Sequence, residues 1–182
     1  MTIKSLLETD LRWSQRMRIE PNGNSWFKYA AFLAHSGDSW FWMAALFVIW
    51  LITRGEWHTR AALLAAGIAG LAVVVLAIKF TVRRQRPPGE WGAIYRNTDP
   101  HSFPSGHAAR SALLAAMAIG LGPAWFAWAV VIWAPLVSLA RVTTGVHYLS
   151  DILAGIIVGL LAGGFMLLIA PTLIAWFTFI FA

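Results

Sequence analysis

The sequence contains no cysteine, which excludes disulfides and thiolate-based zinc centres and leaves the redox compartment unmarked. Charge is scarce too: 12% of residues are charged, against about 25% in soluble domains. Almost nothing would remain to solvate the surface of a soluble helical protein. Acidic residues are fewest, eight against fourteen Lys and Arg, so little offers the oxygen ligand set that Mg²⁺ prefers. No basic low-complexity arm or nucleic-acid motif appears, so the net charge of +6 points to anionic lipid or phosphate and not to nucleic acid. Residues 1–24 lack an apolar h-region and are not expected to be a cleavable signal peptide. No internal repeat or second domain is visible, and 1–182 reads as one membrane-embedded domain.

What the chain has is apolar length. Hydrophobic residues make up 59% and the mean hydropathy is +0.66. Uncharged runs at 61–78, 111–140 and 152–182 meet or exceed the roughly 18–20 residues that cross a bilayer. Several of the eleven Trp lie near the ends of these runs, as in an interfacial aromatic belt. The expected fold is an all-α, polytopic transmembrane bundle of about five spans, preceded by an amphipathic helix lying on the membrane surface.

That surface helix is expected over 3–18, where Ile3, Leu6, Leu7, Leu11 and Trp13 alternate with charged residues. A turn at 21–24 closes the 1–24 segment, and 26–34 reads as a half-inserted or interfacial helix. The break at 35–38 offers Asp38 or Ser39 as an N-cap. Spans are expected at about 39–53, 60–80, 105–121 and 124–141, the last interrupted by Pro135. A fifth starts near Ser150, and Pro171 divides it from the final stretch. Arg54 to Arg60 reads as a tight polar loop. Gly155, Gly159 and Gly163 recur every four residues, spacing that lets helices approach closely, here favoured within one bundle.

Counting crossings brings the segments 79–110 and 141–151 to the same face. Lys79 and Arg86 are seven apart, two helical turns, and could point the same way before Pro87 ends the helix. Pro104-Ser105-Gly106-His107 opens a span, so its free backbone N–H groups and dipole favour an anion. Arg141, His147 and Asp151 sit between two uncharged runs, with Gly145 permitting a tight turn between them. His147 and Asp151 are four apart, within reach if a helix starts near Tyr148, and a carboxylate there would fix the imidazole tautomer. Three cations around a helix N-terminus suit a phosphoryl group, whose oxygens need neutralising in the transition state. Two histidines in different environments suit a nucleophile and an acid; Asp151 favours His147 as the former, but the residues alone do not order them. His35, His58 and His101 have no partner at useful spacing and read as structural.

Lys79-x6-Arg86-Pro87, Pro104-Ser-Gly-His107 and Arg141-x5-His147-x3-Asp151 resemble the three signature motifs of the type 2 phosphatidic acid phosphatase family, in its shorter bacterial form. One departure is Ala140, where the family often has Ser. The resemblance implies an integral membrane phosphatase that hydrolyses a lipid phosphate or diphosphate without metal or other cofactor. It implies attack by His147, oriented by Asp151, to give a phosphohistidine, and His107 as the acid that protonates the leaving group and then activates water. Lys79, Arg86, Ser105, Gly106 and Arg141 would hold the phosphate. Phosphatidic acid, phosphatidylglycerol phosphate, undecaprenyl diphosphate and polyprenyl-linked sugar phosphates all fit. An anion or phospholipid transporter, or a non-catalytic lipid-phosphate binder, would also use buried cations but would not need His147 with Asp151 beside Pro-Ser-Gly-His.

Sidedness is pulled two ways. Of the fourteen Lys and Arg, only Arg54 and Arg60 fall on the face opposite the site, which the positive-inside rule reads as a cytoplasmic site. The family resemblance implies an extracytoplasmic one.

Overall fold

A computed structural model describes residues 3–88 and 99–181. Residues 89–98, with Glu90 and Arg96 of the long polar loop, lie outside the described residues, as do Met1, Thr2 and Ala182. The described residues form eight helices: α1 (Ile3–Met17), α2 (Ser25–Ser36), α3 (Ser39–Ile52), α4 (Glu56–Val82), α5 (Gly106–Leu121), α6 (Ala124–Thr143), α7 (Leu149–Trp176) and the short α8 (Thr178–Phe181). Three of them, α4, α6 and α7, are long and apolar enough to cross a membrane, while α3 and α5 are shorter apolar helices. Their outward faces carry exposed Phe47, Val73, Ile132, Leu161 and Phe165, an apolar exterior suited to lipid. The protein is a multi-pass membrane helix bundle.

Helix boundaries follow local chemistry. α4 begins at Glu56, because Gly55 adopts φ +67° and ends the preceding turn at once. The loop expected to reach Arg60 is therefore only 53–55. Arg60 lies within α4, bonded to Glu56 at 2.6 Å and to the Leu121 carbonyl at 2.5 Å. α7 continues through Pro171 to Trp176 and α6 through Pro135 to Thr143. In both, apolar neighbours carry the helix past a residue that would break it in water.

α5 is the buried centre of the bundle. Ala108, Ala109, Leu113, Leu114, Met117 and Ala118 are all fully covered. α7 lies against it along the glycine stripe: a Cβ at Gly159 would fall 2.0 Å from the Ala109 carbonyl oxygen, and one at Gly155 2.6 Å from that of Ser105. The glycines thus serve contact within the chain, as expected, and set how closely the two helix N-termini approach. α4 packs on α5 through Gly67 against Met117, and α2 lies along α6 with Phe27, Ala30 and Ala34 buried. α1 crosses the end of the bundle. Its Ser14 hydroxyl accepts from the Leu149 amide at 2.9 Å, and Ile19 N–H donates to the Thr143 carbonyl at 2.8 Å. Leu6, Leu7 and Trp13 remain exposed beside it, as a surface-lying helix requires.

Candidate active site

Each of the three motifs reaches the α1 end of the bundle by its own local device. The first departs from expectation. α4 stops at Val82, four residues short of Arg86, because Arg83 takes a left-handed conformation, φ 52°. The chain then runs extended, and Gln85 pairs with His101 in an isolated antiparallel bridge. Ser102 N–H donates to the Arg84 carbonyl at 2.8 Å. This paired strip carries Arg86 back over the site where continued helix would have placed it elsewhere. Lys79, on the last turn of α4, reaches the same point from below.

Both cations already hold an anion. Lys79 Nζ and Arg86 Nη2 converge on Asp99 Oδ2, the latter at 2.9 Å. Lys79 also donates to the His101 carbonyl at 2.9 Å, and Arg86 Nε to the Asp99 carbonyl at 2.7 Å. Arg86 Nη1 donates to the Val146 carbonyl and to His147 Nε2, both at 3.1 Å.

The second motif forms the first turn of α5. Ser105 is the N-cap, its hydroxyl accepting from the Ala108 amide at 3.4 Å, and its own amide donates to the Asp151 carbonyl at 3.0 Å. A Cβ on Gly106 would meet only Val75, at 3.7 Å. The fold would tolerate a side chain there, so the space in front of Gly106 belongs to the cavity. His107 Nε2 is 2.6 Å from Asp38 Oδ1.

The third motif spans the α6–α7 connection. Arg141 is buried in the last turn of α6, and Gly145, at φ +74°, turns the chain so that His147 faces back toward it. α7 begins at Leu149, capped at Tyr148, whose amide donates to Asp151 Oδ2 at 3.0 Å. His147 Nδ1 lies 3.4 Å from the same oxygen. With Nδ1 toward the carboxylate, Nε2 is left facing Arg86. Burial, then Arg141, Arg86 and Lys79, push the His147 pKa well below that of an ordinary histidine, so the ring is neutral near pH 7 and its Nε2 lone pair is retained.

Residues outside the motifs complete the site, and sequence reasoning missed them. Arg84 Nη1 donates to Asp151 Oδ1 and its Nη2 to Asp10 Oδ2, both at 2.8 Å, while its guanidinium lies 3.9 Å from the Tyr148 ring centre. Asp10 of α1 also accepts from the Ser150 amide at 3.0 Å. Fully buried Ser102 hydrogen-bonds His147 through its backbone and Asp151 through its side chain. Asp38 occupies the N-cap position of α3, as expected, but its side chain caps nothing. Instead it joins His107 to His35, whose Nδ1 is 3.1 Å from Asp38 Oδ2. His35 therefore has a partner, contrary to its reading as isolated. His58 Nδ1 meets the Trp50 carbonyl at 2.8 Å. Burial works to raise the Asp38 carboxyl, but hydrogen bonds from His107 and His35 outweigh it and bring the pKa down to about 2.

Lys79, Arg86, Gly106, His107, Arg141 and His147 all line one cavity of about 290 Å³, together with Asp99 and Arg110. Ser105 and Asp151 are fully buried and adjoin lining residues, Ser105 preceding Gly106 and Asp151 contacting His147. The cavity's other wall is apolar, formed by Leu76, Val75, Ala72, Leu71 and Ile68 along one face of α4. That stripe descends from Lys79 by eleven residues, about 16 Å at helical rise. The cavity can therefore hold a phosphate at its cationic end and hydrocarbon along α4. Among the described residues, no group of three or more His, Asp or Glu could hold a metal ion.

The family model of the PAP2 superfamily matches residues 59–175. The decaprenylphosphoryl-5-phosphoribose phosphatase of Mycobacterium tuberculosis, in strains CDC 1551 and H37Rv alike, is 37% identical over 141 residues, 72% of this chain and 73% of that protein. Two crystal structures share the fold. The PAP2 type phosphatidylglycerolphosphate phosphatase of Bacillus subtilis superposes with a TM-score of 0.71 at 21% identity, over 89% of this chain and 84% of that one. Aquifex aeolicus LpxE gives 0.66 at 20% identity, over 86% and 93%.

Proposed function

The chain belongs to the PAP2 superfamily and is a membrane-embedded phosphatase, and from that premise we propose that it releases inorganic phosphate from a lipid phosphate through a phosphohistidine at His147. The observation that carries the reading is the pair of unlike nitrogens on that ring. Nδ1 faces Asp151, and Nε2 faces Arg86 at the cationic end of a cavity whose other wall is apolar.

The proposed reaction starts when substrate phosphate takes over the hydrogen bonds that Lys79 and Arg86 now give to Asp99. Arg141, the Ser105 hydroxyl and the Gly106 amide hold the remaining oxygens. Nε2 of His147 attacks phosphorus while Asp151 supports the positive charge that develops on the ring. The bond to the leaving oxygen breaks, and that oxygen takes a proton from His107. Water then gives a proton to His107 as its oxygen bonds to phosphorus, the Nε2–P bond breaks, and phosphate departs. No step is routed through a metal.

Similarity to the mycobacterial enzyme favours a polyprenyl-linked sugar phosphate over the other lipid phosphates. We further propose that the site opens to the cytoplasmic side, because Arg12, Arg16 and Arg18 of α1 and its following segment lie at the site end of the bundle. A substrate panel with purified protein in detergent and EDTA tests the function. Phosphate release should persist without metal and be fastest on a polyprenyl-phosphoryl sugar phosphate. An absolute Mg²⁺ requirement would overturn the mechanism, and binding without phosphate release would favour a transporter or binder.

A further inference from the structure

We propose that Asp38 is a positioning residue for His107, completing a second histidine–carboxylate pair at the cavity that His147 and Asp151 also serve. The inference rests on the reading of His107 as the general acid.

The two residues are 69 apart in the chain and meet through tertiary structure alone, with His107 Nε2 at 2.6 Å from Asp38 Oδ1. Asp38 stands where an aspartate ordinarily accepts from the first amides of its own helix, yet its carboxylate makes no such bond. Both oxygens are turned to imidazoles instead, the second to His35. The turn that presents it is held from several sides. Trp42 of α3 and Trp133 of α6 donate to the Ser36 carbonyl and hydroxyl at 3.2 and 2.9 Å. Arg110, one turn along α5 from His107, donates to the Gly37 carbonyl. Gly37 itself has no room for a side chain: a Cβ would fall 2.7 Å from Val137 and 3.2 Å from the His107 ring. Four helices thus fix one carboxylate against one catalytic imidazole, the kind of support that precise proton transfer needs.

The chemical consequence is a choice of tautomer. A carboxylate on Nε2 keeps a proton there, so Nδ1 is the nitrogen that exchanges protons with the reacting atoms. As the bond from phosphorus to the leaving oxygen breaks, its electron pair goes to that oxygen, which takes the Nδ1 proton. The ring is left neutral with Nε2–H still on Asp38. In the second half-reaction Nδ1 takes the proton of the attacking water, and Asp38 supports the imidazolium that forms. Asp38 does not line the cavity that would take the substrate, so it acts only through His107.

The test compares kcat/KM on two esters, a nitrophenyl phosphate whose leaving group needs no proton and an alkyl lipid phosphate whose leaving group does. This ratio excludes the later hydrolysis of the phosphoenzyme. Asp38→Asn should lose on the order of tenfold to a hundredfold on the alkyl ester, in the range general acid catalysis supplies, and far less on the nitrophenyl ester. It should add nothing further in a His107→Ala background. Asp38→Glu, which keeps the charge but displaces it, should fall between wild type and Asp38→Asn, and serves if the Asn variant does not fold. If His107→Ala discriminates between the esters and the Asp38 variants do not, Asp38 is merely structural and the inference is overturned while the general-acid reading stands. If His107→Ala itself loses equally on both, that reading fails and the inference falls with it.

Discussion

At the scale of single residues, the chemistry depends on what each imidazole nitrogen faces. His147 sits among Arg141, Arg86 and Lys79 in a buried setting, and these lower its pKa. A lowered pKa means the reactive neutral form persists on acidification, and the ring charges only well below its ordinary 6.5. Ring-nitrogen NMR of ¹⁵N-histidine-labelled protein, with His147→Gln to assign the signal, should find it neutral at pH 6.5. Half-protonation at or above that pH would contradict the electrostatic account. The eight motif residues were legible in the sequence because their spacing is local or repeats a known pattern. Asp38, Arg84, Ser102 and Asp99 were not. Each acts on a partner brought near only by packing, such as Arg84 on Asp151 across 67 positions, and a lone charged residue in a loop carries no spacing signal. Arg86 lines the cavity, but not along the helix face from which it was expected, since the left-handed Arg83 that ends α4 is not an evident helix stop.

At the scale of elements, the site depends on how closely α5 and α7 approach, since the first turn of one carries His107 and of the other Asp151. Gly159 fixes that approach through contact with the Ala109 backbone. Gly159→Ala must push the helices apart, because the obstacle is a carbonyl oxygen and not a flexible side chain. Overpacking of this kind costs about 1–3 kcal/mol or more, so the unfolding temperature in detergent should drop by several degrees and activity with it. Gly164, on the same helix, has nothing within 4 Å of where a Cβ would be, so Gly164→Ala should be neutral or slightly stabilising. Equal effects from the two substitutions would show that the stripe does not set the packing. The helices themselves were legible because long uncharged runs can hardly form anything else in a bilayer. Their ends were less so: a single glycine at positive φ, Gly55, lets α4 begin at Glu56, four residues before the start expected at about residue 60.

At the scale of the whole molecule, the orientation proposal has a direct check, because a chain without cysteine accepts single-cysteine probes cleanly. Glu20, 70% exposed, follows α1 at the site end, and Glu56, 80% exposed, opens α4 at the other. With a membrane-impermeant maleimide on intact cells, Glu56→Cys should label and Glu20→Cys should not. The reverse would place the site outside, as the family resemblance implies, and would mean that the α1 cations answer to lipid headgroups and not to topology. Whichever way the bundle faces, its central claim is that phosphate passes through a covalent bond to Nε2 of His147. The direct measurement is rapid acid- and alkali-quenched turnover of ³²P-labelled lipid phosphate, followed by peptide mapping. The account predicts an acid-labile, alkali-stable label confined to the peptide containing His147 and abolished in His147→Ala, whereas full turnover by that variant, or label on another residue, would contradict it.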